Sequence, residues 1–140
     1  MAFWDTSAIV ALCVHQPAGG RIRGLLAEHR RLVVWWATPV EVRSALARLV
    51  RKESITQAGM SQALDRLAAL RRSWSEVVPT DKVRNLADDF PERHALRAAD
   101  ALQLAAALVW CREKPRKRVF VCLDERLAAA AENTGFQVVP

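Results

Sequence analysis

Four acidic residues stand where a carboxylate could do chemistry. Asp5 closes the first apolar run in "AFWDTSAIVAL", and Glu41 falls in "TPVEVRSALARL". Asp100 opens "DALQLAAALVW", and Asp124 directly follows "VFVCL". Drawn together to about 3–5 Å, four carboxylates repel and raise one another's pKa. A hard divalent cation relieves that repulsion, because Mg²⁺ and Mn²⁺ take oxygen ligands. Such a site suits phosphodiester hydrolysis, where the ion orients a water and neutralises charge on the phosphate.

Each acid also has a plainer structural reading. Asp5 and Asp124 are good helix N-caps. Glu41 sits three residues after Thr38, the spacing of a capping box, with Pro39 as a first helical residue. Asp100 has Arg97 one turn earlier as a salt-bridge partner, and a carboxylate beside so apolar a run needs one. Gln103, one turn past Asp100, shares its helix face and either orients a ligand or solvates that face.

The elements that must position these residues alternate. Strands are expected at Ala2–Asp5, Arg31–Ala37, "SEVVP", "VFVCL" and "FQVV". Helices are expected over Ser7–His15, from Pro17 through "GGRIRGLLAEHR", after Thr38 and over Ser54–Arg72. Further helices are expected in "TDKVRNLADDF", which Pro91 interrupts, in the run behind Asp100, and in "DERLAAAAEN" with Gly135 as its C-cap. From Ala98 to Trp110 nearly every residue is apolar, so that helix should be buried. Strands separated by helices imply a parallel sheet covered on both faces, with ligands bound beyond the carboxyl ends of the strands.

At 140 residues the chain is long enough for one domain, residues 1–140, with a real core. Apolar residues make up 51% and charged residues 26%, which excludes a disordered chain. No apolar run is long enough for a membrane span, and no leader pattern opens the sequence. The formal net charge of +6 favours polyanionic partners such as RNA. Cys13, Cys111 and Cys122 are widely spaced in apolar surroundings, which reads as core thiols in a reducing cytoplasm rather than disulfides or a zinc site. His15, His29 and His94 lack metal-ligand spacing. "REKPRKR" reads as a solvated loop with RNA contact as its alternative, Arg93 and Arg97 being better placed for that role. One of Trp35 and Trp36 should face the core.

"FWDTSAIVAL", "TPVEVRSALARL", "LRAADALQLAAAL" and "VFVCLDERLAAAAENTGFQVV" resemble, in order and spacing, the four acidic motifs of PIN-domain proteins. Among these the chain is most similar to VapC-type toxins of bacterial toxin–antitoxin pairs. The resemblance runs nearly end to end. It implies a three-layer α/β/α sandwich with a mostly parallel central sheet, and an endoribonuclease dependent on Mg²⁺ or Mn²⁺. Asp5, Glu41, Asp100 and Asp124 match the acidic pocket; Asp5, Asp100 and Asp124 would bind metal, and Glu41 would bind it or position the attacking water. Thr6 or Ser7 would hydrogen-bond a carboxylate or the phosphate, and Arg97 is a candidate for substrate. The resemblance further implies a homodimer and a cognate antitoxin. Where the family often has Thr or Ser two positions before the fourth acid, this chain has Cys122, which removes a hydroxyl. Trp4 replaces a smaller aliphatic and reads as core.

Other enzyme classes fit less well. A haloacid-dehalogenase phosphatase needs a second Asp at the position of Ser7, and a response-regulator receiver needs an acidic pair after the first strand. No Gly-rich phosphate loop is present. A non-catalytic PIN-like module that binds RNA or protein is the alternative to the nuclease.

Overall fold

Period-two burial of apolar side chains on both sides of short strands organises the molecule, a computed structural model that describes residues 1–14 and 19–140. In chain order the elements are β1 (Ala2–Trp4), α1 (Thr6–Cys13), α2 (Gly19–Glu28), β2 (Leu32–Trp35), α3 (Thr38–Arg51), α4 (Gln57–Arg71) and β3 (Ser75–Val77). Then follow α5 (Asp81–Ala87), α6 (Phe90–His94), α7 (Ala98–Trp110), β4 (Val119–Val121), α8 (Glu125–Thr134) and β5 (Gln137–Val139). The expected helix start at Pro17, and His15 with it, lie outside the described residues.

The five strands run in the order β3-β2-β1-β4-β5, and every pairing is parallel. Phe3, Val33, Trp35 and Phe120 point to one face, where they pack with residues of α5, α6, α7 and α8. Ala2, Trp4, Leu32, Val34 and Val121 point to the other, against α1, α2, α3 and α4. Strands buried on both faces lose the polar–apolar alternation of a one-sided sheet, which is why "LVVW" and "VFV" read as unbroken apolar runs. The result is the α/β/α sandwich the motifs implied. Trp4 is fully buried core, and of the tryptophan pair Trp35 is buried while Trp36 is 54% exposed.

α7 is the buried helix: Ala101, Leu104, Ala105, Ala106, Ala107 and Leu108 are all inside. Its small residues let it lie close against the sheet. The helix starts at the carboxyl edge of the strands and runs back to the opposite edge, where "REKPRKR" leads into β4. Thirteen helical residues span about 20 Å, so that basic tract is far from Asp100. α8 ends on Gly135 at φ 115°, a conformation that suits glycine at a helix C-terminus.

Candidate active site

The chain leaves β1 toward one face of the sheet and the neighbouring β4 toward the other. That divergence opens a crevice at the carboxyl edge, between the first residues of α1 and α8. Asp5 stands on one side of it. Its backbone N–H continues the ladder to the Val121 carbonyl at 3.0 Å, and its side chain caps α1. Asp5 Oδ2 accepts from the Ser7 N–H at 3.0 Å and from the Ser7 hydroxyl at 2.6 Å. The Cys122 thiol also lies 3.6 Å from that oxygen. Ser7 Oγ in turn accepts from the Leu123 N–H at 2.9 Å, tying the end of β1 to the end of β4. A hydroxyl at this place comes instead from Ser7, in the first turn of α1. Asp5 is only 3% exposed. Burial pushes its carboxyl up to about 6; the two Ser7 hydrogen bonds oppose this, and the charges of Asp100 and Glu41 add to it.

Glu41 reaches the same crevice from α3. The capping box expected from Thr38 and Glu41 does not form. Ala37 is the N-cap, without a side-chain bond, and Thr38 is already helical and fully buried. The helix begins where it does because the Trp36 N–H bonds the Val77 carbonyl, while Val40 and Glu41 N–H bond Ala37 O. Glu41 therefore faces inward rather than back along its own helix. Its Oε2 accepts from the Thr6 hydroxyl at 2.7 Å and from Gln103 Nε2 at 3.1 Å. Gln103 solvates nothing: it is fully buried, and Nε2 also contacts Thr6 Oγ1 at 2.8 Å.

Asp100 lies in the first turn of α7, half-buried. Burial raises its pKa most, Asp124 and Glu41 raise it further, and Arg97 lowers it. Arg97 is the N-cap residue of that helix. Ion pairs among the described residues are Lys82–Glu113, Arg84–Asp81 and Arg93–Asp89, so the expected Arg97–Asp100 salt bridge is not made. Asp124 caps α8, its Oδ1 accepting from the Leu127 N–H at 2.8 Å.

All four acids line one cavity of about 690 Å³, together with Thr6, Ser7, Arg97 and, from α3, Ser44 and Arg48. A second cavity shares Arg97, Asp100 and Asp124 and extends toward Arg126. The acids are gathered but not tightly converged: among the described residues, no three of His, Cys, Asp or Glu stand close enough to hold an ion as they are. Mutual repulsion of like charges favours that spacing. The donor set still fits a hard cation. Asp5, Glu41 and Asp124 each spend one oxygen on a fixed donor, which leaves Asp5 Oδ1, Glu41 Oε1 and Asp124 Oδ2 without a described partner. None of the four acids is ion-paired to a basic side chain among the described residues.

A family model described as PIN domain matches residues 2–133. The chain belongs to the PIN-domain family. Two solved structures share the fold. PAE2754 from Pyrobaculum aerophilum aligns at a TM-score of 0.63 and 22% identity, covering 99% of this chain and 88% of that one. FitAcB from Neisseria gonorrhoeae aligns at 0.64 and 16%, covering 100% and 97%. No curated protein matches the chain.

Two arginines at the rim of this PIN domain's cavities escaped the reading of the sequence. Arg48 lies seven residues after Glu41, so helical spacing places it on the same face as Glu41, Ser44 and Ala45. Arg126 lies two residues past Asp124. Both had signals of position, but none that set them apart from the other basic residues of a basic chain.

Proposed function

We propose that this PIN-domain protein is a metal-dependent endoribonuclease and the toxin of a toxin–antitoxin pair. The observation that carries the nuclease reading is the anchoring pattern of the acids, three of which hold one oxygen fixed and keep the other available in a shared cavity. Asp5, Asp100 and Asp124 would hold Mg²⁺ or Mn²⁺. When bound, such an ion supplies Lewis acidity toward water and phosphate at neutral pH.

The protein's own groups do the rest. Glu41 would bind the ion or position the attacking water through Oε1, since Oε2 is committed to Thr6 and Gln103. Ser7 and Thr6 act on the carboxylates, fixing Asp5 and Glu41 respectively, rather than as free donors to substrate. Arg97, at the junction of the two cavities, is placed to bind the scissile phosphate, with Arg48 and Arg126 toward the flanking ones. The toxin role rests on the likeness of the four motifs to VapC-type proteins, and a homodimer and a cognate antitoxin come with it. RNA cleavage assayed in Mg²⁺, Mn²⁺ and EDTA tests the reading, with folded Asp5→Ala and Asp100→Ala variants alongside. Cleavage that needs the ion and both carboxylates supports it. Folded protein that cuts no RNA with either ion, or variants that cut as well as wild type, overturn it.

One observation favours a second reading, a PIN-fold module that binds without cutting: the acids are not poised around a single point. Indifference to chelation and to Asp5→Ala would select that reading.

A further inference from the structure

Gln103 is an expensive residue to keep. It sits in the middle of an apolar helix with no solvent exposure. Its Oε1 is buried without a hydrogen-bond partner. An unsatisfied buried carbonyl costs about 1–3 kcal/mol, and an aliphatic side chain of similar size would avoid the cost. The carbonyl end of the side chain gives no reason for glutamine here.

The amide nitrogen gives one. Nε2 contacts Thr6 Oγ1 at 2.8 Å, Glu41 Oε2 at 3.1 Å and Thr38 Oγ1 at 3.4 Å. The proton directions follow from chemistry. An ionised Glu41 only accepts, so the Thr6 hydroxyl donates to it, and Thr6 must then accept from Gln103. The amide must also present nitrogen, not oxygen, to Glu41. One orientation of every group satisfies this ring, and it ties Glu41 Oε2, on α3, to two other elements: α1 through Thr6 and α7 through Gln103. Thr38, also on α3, contacts the amide nitrogen at 3.4 Å and limits where it can move.

We infer that Gln103 is the positioning residue of the site: through Thr6 and directly, it clamps Glu41 Oε2 so that Oε1 is presented to the acidic cavity. The inference rests on the metal-nuclease reading and assigns Gln103 a role within it. Gln103 is fully buried and does not line the acidic cavity. It acts only through Glu41, and its helix also carries Asp100, so the clamp fixes the distance between those two acids.

The test separates positioning from packing and from the nuclease reading itself. Gln103→Leu, Thr6→Val, Thr6→Ser and Glu41→Gln proteins are compared with wild type by thermal melting, by Mn²⁺ titration calorimetry and by RNA cleavage. Gln103→Leu removes the unpaired Oε1 but also takes the amide donor from Thr38, Thr6 and Glu41, so the two effects offset and it should melt close to wild type. It should weaken Mn²⁺ binding or lower kcat by about 10- to 100-fold, with KM little changed. Thr6→Ser should recover what Thr6→Val loses. In the Gln103→Leu/Glu41→Gln double variant the Gln103 effect should vanish, because nothing is left to position. A Gln103→Leu protein that binds Mn²⁺ and cuts RNA like wild type overturns the inference. So does one whose defect persists unchanged in the Glu41→Gln background. If wild type binds Mn²⁺ but cuts no RNA, the nuclease reading fails alone and Mn²⁺ affinity still decides the role of Gln103. If wild type binds no Mn²⁺, both fall.

Discussion

At the residue scale Asp5 carries two conflicting duties. It caps α1, and it is a nearly dehydrated carboxylate whose pKa stands near 6 rather than at the ordinary 3.8. A folded-state pKa above the unfolded one means the native protein binds the proton more tightly. The stabilisation is full below about pH 4 and is lost as pH rises through about 6. Two pKa units correspond to about 3 kcal/mol. Metal-free wild type should therefore melt at lower temperature at pH 8 than at pH 5, with Asp100, also shifted upward, acting in the same direction. Asp5→Asn should flatten that dependence and raise stability at pH 8 by up to about 3 kcal/mol, measured by denaturant unfolding in EDTA, while abolishing cleavage. Protons and cation compete for the same oxygens, so Mn²⁺ affinity should fall as pH drops below about 6. An affinity that is flat from pH 5 to 8 would show that Asp5 is not a ligand.

At the element scale the crevice depends on how β1 is tied to β4. Ladder bonds end with Asp5 N–H to Val121 O, and beyond them Ser7 Oγ bridges Asp5 Oδ2 and the Leu123 N–H, beside the 3.6 Å contact of the Cys122 thiol to the same oxygen. Ser7→Ala leaves that N–H without its donor-acceptor link and should cost about 1–3 kcal/mol in unfolding free energy. Because Asp5 then rotates more freely, activity should fall more than stability does. Ser7→Thr, which keeps the hydroxyl, distinguishes the lost bond from lost volume. α8 offers a control. At Gly135 φ is 115°, and an added Cβ would lie 3.2 Å from Pro115 Cγ. Gly135→Ala should destabilise by about 1 kcal/mol and leave cleavage intact, since the helix C-terminus lies at the edge away from the acids.

At the scale of the whole molecule the charge is +6, but its distribution matters more than its sum. Arg48, Arg97 and Arg126 line the two cavities that meet at Asp100 and Asp124. The tract from Arg112 to Arg118 lies at the other edge of the sheet. Arg48→Ala and Arg126→Ala should each weaken RNA binding and lower the slope of log affinity against log salt by about 0.7–1. Replacing Lys114, Arg116 and Lys117 together by Ala should leave the rate of cleavage unchanged. A loss of binding equal to that of the rim variants would place the RNA path across the back of the sheet as well. No described helix is long and apolar enough to cross a membrane.

The sequence by itself determined the alternation of elements, the parallel sheet and the four acids, because each leaves a local mark. Apolar runs betray strands buried on both faces, periodicity betrays helices, and a carboxylate at the end of an apolar run is conspicuous. Asp5 and Asp124 were legible as caps that also line the cavity, since an N-cap and a strand end fall at the same place in a strand–helix junction. What only the tertiary structure decided are relations between residues far apart in the chain. Thr38 and Glu41 have capping-box spacing, yet the helix starts one residue earlier because β2 extends its pairing through Trp36 to Val77. That frees Glu41 for Thr6, 35 positions away, and for Gln103, 62 away. Gln103 itself reads as a polar residue that either orients a ligand or solvates the helix face; its burial depends on α7 packing on the sheet with that side chain turned toward Thr6, Thr38 and Glu41. Such choices are settled by packing, which satisfies buried polar groups with whatever partners the fold brings near, and spacing along a chain carries no record of them.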